Sequence, residues 1–187
     1  MWIIILVVIG IIVFPILYIN AYNTENERRE NMQKKQQGYI EQNNIDISVE
    51  YSFQCGNIVD IRYIVDDTNK KVYIMLADSD FIEIPFTEIR GCEILTDSEV
   101  TGGVGRAVVG GVLAGGAGAV VGATTAKEHI KSYKIVIYRA NIATPQAEIS
   151  LISTSCKTTD SYYIEAVEFA GKVNASIRAI ISINGND

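Results

Sequence analysis

The chain has 187 residues, 48% of them hydrophobic and 20% charged, with a formal net charge of −6. An apolar start and its polar follow-on set aside, about 145 residues remain, enough for one ordinary domain with a core. The acidic balance argues against a nucleic-acid partner, which needs a basic footprint. The closest basic pairs, Arg28–Arg29, Lys34–Lys35 and Lys70–Lys71, form no polybasic patch, so attraction to anionic headgroups is expected to be weak.

Residues 2–19, from Trp2 to Ile19, carry no charge and meet the length of a spanning helix. Trp2 and Tyr18 stand near its two ends, where an aromatic belt places them. Pro15 is tolerated in such helices and is expected to kink this one. A cleaved signal peptide is the rival. The lack of a basic n-region, the long apolar run and the poor site Ile19-Asn20-Ala21 favour an uncleaved, single-pass anchor over residues 1–21. Arg28, Arg29, Lys34 and Lys35 follow the run, so the positive-inside rule leaves the rest of the chain in the cytoplasm at the cell membrane.

Residues 22–44 are polar and rich in helix formers, with a break expected at Gly38. No heptad survives, which predicts a solvated helical spacer rather than a coiled coil. From Ile45 the period becomes two: Ile45, Ile47, Val49, Tyr51 and Phe53 alternate with polar residues. Further runs follow at Ile58–Val65, Val72–Leu76, Phe81–Phe86 and Ile89–Leu95, with turns at Gly56–Asn57, Asp66–Lys70 and Asp78–Asp80. Pro85 predicts the end of a strand or an exposed edge.

Residues 102–126 then form a glycine-rich apolar insert without charge between Arg106 and Lys127. Gly103, Ala107, Gly111, Gly115, Ala119 and Ala123 recur every four residues, with a second row at Gly110, Ala114, Gly118 and Gly122. On a helix each row is one smooth strip, and such strips let helices approach closely in membranes. In water each interior glycine costs about 1 kcal/mol relative to alanine, so close packing or lipid must compensate. One crossing helix, a hairpin breaking near Ala114–Gly118 and a flexible loop all compete. The hairpin is favoured. It keeps the two halves of the domain on one side, and its arms of about 15 Å dip into a bilayer without crossing.

After the insert, Tyr133–Tyr138 and Ala147–Leu151 read as two more strands, separated by a loop containing Pro145. From Tyr163 the period is helical: Tyr163, Val167, Ala170, Val173, Ile177, Ile180 and Ile181 share a face. Thr159 or Asp160 is the expected cap, Gly171 a weakness or a close approach to the sheet, and Asn184–Gly185 the stop. The expected fold is mainly β within the α+β class: a seven-stranded antiparallel barrel or sandwich over 45–187, closed by a C-terminal helix. A transmembrane helix precedes it and an apolar helical hairpin interrupts it.

No arrangement of residues suggests catalysis. His129 is the sole histidine and reads as solvated at a turn; no nucleophile has an evident histidine partner, and a zinc set cannot be assembled. Asp66–Asp67 and Asp78/Asp80 fit turns better than cation sites. Gly102–Gly105 matches neither a dinucleotide nor a P-loop fingerprint, so no cofactor is expected. Cys55, Cys92 and Cys156 have no metal or redox spacing and read as buried thiols.

Seven strands with a terminal helix, together with Ile89–Leu95, the run Gly102–Ala123 and the helix Tyr162–Ile181, resemble bacterial pleckstrin-homology-like domain proteins with a glycine-rich insert, found among bacterial and phage membrane proteins. The resemblance covers about residues 45–183. It implies a non-enzymatic binding or scaffold module for a protein partner or membrane lipid, with the glycine rows meeting the bilayer or a second copy. The alternative is a membrane-active protein, a pore component or phage exclusion factor. Phosphoinositide sites in the wider fold use basic residues between the first two strands; Gln54-Cys55-Gly56-Asn57 has none.

Overall fold

The computed structural model describes residues 2–55, 59–76, 81–99 and 129–185; the side chains of 2–17, 20, 25, 55, 59, 60, 98 and 99 lie outside that description. The chain divides into two compact units, Met1–Ile45 with Ala77–Asp80, and Asp46–Leu76 with Phe81–Asp187.

Among the described residues the first unit holds one helix, α1 (Trp2–Gln42). It runs through Gly38, where a break was expected. A side chain there would meet nothing within 4 Å, so glycine weakens the helix without ending it. The end is set six residues later. Asn44 takes a left-handed conformation (φ 49°), its N–H bonds to the Glu41 carbonyl (3.3 Å) and the Ile45 N–H to the Ile40 carbonyl (3.1 Å). These are the two bonds of a Schellman cap, and the flanking Ile40 and Ile45 are both buried. Among the described residues no helix is long and apolar enough to cross a membrane. The single-pass anchor expected over residues 1–21 thus finds no support among the described residues.

The second unit is a sandwich of two antiparallel sheets and a helix. The first sheet has the order β1 (Val49–Cys55), β2 (Val59–Asp66), β3 (Lys71–Met75), β4 (Phe81–Pro85). A 3-10 turn, Phe86–Glu88, leads to the second sheet: β5 (Ile89–Glu99), β6 (His129–Arg139) and β7 (Gln146–Ile152), with β8 (Cys156–Lys157) also on β6. No ladder joins the two sheets among the described residues, so of the barrel or sandwich expected it is the sandwich that forms. Pro85 does end an edge strand.

The first strand starts later than expected and an unexpected strand follows β7. Ile45 and Ile47 precede β1, and Ile47 is exposed, because this segment serves the β2–β3 turn. The Asp46 N–H donates to Asp66 Oδ2 (3.0 Å), and the Asp67 N–H to Ser48 Oγ (3.0 Å). β8 is the eighth strand, in a stretch that reads as polar. It continues the edge that β7 begins: β7 pairs with Tyr133–Tyr138 and β8 with His129–Ile130.

Alternate residues fill the space between the sheets. Phe53, Ile61, Tyr63, Val72, Ile74 and Ile84 enter from the first, and Ile130, Tyr133, Ile135, Ile137, Ile149 and Leu151 from the second. Helix α2 (Ser161–Asn184) covers this core with Ala166, Phe169, Ala170, Val173, Ile177 and Ile180. Phe169 and Ala166 were outside the predicted stripe, whereas Tyr163, Val167 and Ile181 flank it and are half-buried. Phe53 stacks on Tyr162 (centroids 5.6 Å) and meets Phe169 (5.6 Å). Asp160 is the N-cap residue, but its carboxylate accepts from the Lys157 N–H (2.8 Å) and makes no cap bond. At the other end Asn184 Nδ2 donates to the Phe86 carbonyl (2.6 Å), tying α2 to the corner between the sheets. There Arg139 also grips Glu88 (2.7 Å).

Candidate functional site

The insert is the feature that most distinguishes this sequence, and the structure describes its base. β5 and β6 pair from Ile89↔Arg139 to Ser98↔Ile130 and Glu99↔His129. Directly opposed antiparallel residues have Cα atoms about 4.5–5.5 Å apart. The chain thus leaves the sheet at Glu99 and rejoins it at His129, one strand spacing away. Residues 100–128 lie between these two points in sequence.

The base has no slack. Ile130, next to the last rung, is 2% exposed and belongs to the core. β8 braces the same rung from the other side, with His129↔Lys157 and Ile130↔Cys156. Glu99, His129 and Lys157 therefore occupy one row across three strands. His129 stands in a strand and is half-buried, not in a turn, because the ladder extends four residues beyond the predicted start at Tyr133. A bulge hides this extension in the sequence. Asp97 opposes Ser132 and Ser98 opposes Ile130, so Lys131 is the extra residue and the alternation slips by one.

The glycine-row residues Gly103, Ala107, Gly111, Gly115, Ala119 and Ala123 lie outside the described residues, as does the helical hairpin expected there. Gly56 and Asn57 of the β1–β2 loop do too.

The electrostatics of the described part are structural. Burial pushes the Cys92 thiol up to about 12 and raises the phenols of Tyr63 and Tyr133, so all three are neutral at ordinary pH. Tyr63 Oη and Ser176 Oγ share a hydrogen bond (3.1 Å) that links the first sheet to α2. Tyr162 Oη donates to the Leu151 carbonyl. Asp66 accepts from the Asn69 N–H (2.7 Å) and Nδ2 (2.7 Å), and Thr68 Oγ1 donates to Asp46 (2.6 Å). These bonds organise a turn, as the sequence suggested. On the outer face of the second sheet, Tyr138 lies across Gly91 and donates to Glu93 Oε2 (2.8 Å), beside the Lys134–Glu148 pair (2.9 Å). Among the described residues no three potential metal ligands come together.

A family model described as a glycine zipper containing PH domain matches residues 51–153, more than half of the chain. The chain belongs to this family. The match runs from β1 to the end of β7 and spans the glycine-rich insert, so in this PH domain the insert is part of the family pattern; α2 lies beyond the matched residues. No curated protein and no solved structure matches the chain.

Proposed function

We propose that this PH domain is a non-enzymatic binding and scaffold module working at a membrane surface, with the glycine-zipper insert as a membrane contact. The observation that carries the reading is the Glu99↔His129 rung. A segment whose ends are adjacent strand partners enters and leaves from one side, so an apolar insert on this base dips into a bilayer and returns. The insert's lack of charge between Arg106 and Lys127 supports lipid as its surrounding. Its small-residue rows suit contact between the arms of a hairpin, or with a second copy. With the base one residue from the core, the second sheet would be held against the headgroups.

Residues 2–19 would supply a second attachment, leaving the domain on the cytoplasmic face to hold a protein partner or lipid. The neutral state of the buried Tyr63 and Tyr133 and of the half-buried Cys92 is in keeping with binding rather than catalysis.

Fractionation of cells expressing the full chain and three variants tests this. One lacks residues 2–19, one has residues 100–128 replaced by Asn-Gly, and one carries both changes. The two single variants are expected in the membrane fraction and the double variant in the soluble fraction, folded. A fully soluble variant that lacks only 2–19 would remove the insert from the membrane and overturn the reading. Dye leakage from vesicles that is lost in Gly111→Leu or Gly115→Leu would overturn it in favour of a pore component.

A further inference from the structure

We draw no further inference here: the strongest candidate, the charge-free tip of the β6–β7 hairpin, where Asn141 Oδ1 accepts from the Ala143 and Thr144 N–H groups and Ile142 is fully exposed, is a single apolar side chain with nothing in the structure to show what covers it.

Discussion

Glu99 and His129 face each other across the last rung of the β5–β6 ladder, at the two ends of the glycine-rich stretch. Had residues 100–128 crossed a bilayer once, these two would lie a membrane thickness apart, about 30 Å. The rung requires both ends to be in one compartment.

That relationship is open to a direct chemical test. With Cys55, Cys92 and Cys156 replaced by alanine, the pair Glu99→Cys and His129→Cys falls within the Cα range of about 4.4–6.8 Å that a disulfide spans. Oxidation of the full chain in membranes is expected to give an intramolecular cross-link, read as a mobility shift reversed by reductant. Cross-linking absent in membranes but present in detergent would mean that the ladder opens when the insert meets lipid.

Gly171 offers a gain in stability. It sits exposed inside α2, and a Cβ there would meet nothing within 4 Å. The close approach considered from the sequence is thus absent, and helix propensity alone decides. Gly171→Ala is expected to stabilise the domain by about 0.5–1 kcal/mol, read as a higher denaturant midpoint at unchanged slope.

The core and the hairpin tip should behave oppositely. Phe169 is 3% exposed and packs on Phe53. Phe169→Ala removes that contact and leaves a cavity, costing about 3–5 kcal/mol. Ile142 is fully exposed, and Ile142→Ala should change stability by less than about 0.5 kcal/mol. Equilibrium unfolding of the two variants checks the contrast.

The β-domain was legible wherever periodicity was clean. β3 and β7 alternate or run apolar between turn residues, and α2 carries an apolar stripe that needs cover. Reading failed where tertiary pairing overrides local pattern. The bulge at Lys131 broke the alternation, so the last rungs of β6 were lost. The two-residue β8 pairs with the stretch of β6 beyond β7, a long-range partnership that no local signal announces. Ile45 and Ile47 carry a strand pattern, yet Asp46 and Ser48, which alternate with them, are claimed by the turn after β2. The glycine rows are plain in sequence, but which strands they join, and at what register, is a property of the ladder.

Cys92 gives a reactivity test. Burial pushes its thiol up to about 12, so the thiolate that reacts with alkylating agents is scarce near neutral pH. In the folded chain, iodoacetamide at pH 8 is expected to modify Cys92 far more slowly than in denaturant, measured by mass spectrometry of the Cys92 peptide. Equal rates would show that β5 is not packed as described.

Asp66 sets a pH dependence. Burial by itself raises its pKa, but the Asn69 side chain and the N–H groups of Asn69, Asp46 and Thr68 outweigh it and hold the carboxyl below the ordinary aspartate value. A group whose pKa falls on folding adds stability above its unfolded pKa, about 3.9, and loses that contribution as pH drops through the folded value. Asp66→Ala leaves those donors unsatisfied and is expected to cost about 1–3 kcal/mol at pH 7. The penalty should be undiminished at pH 5 and shrink only below about pH 4, as the native carboxylate becomes protonated. Denaturant unfolding of both proteins between pH 7 and pH 3 measures the difference. A gap that closes above pH 5 would mean that the carboxylate is held up by its burial and that the turn is not built on its charge.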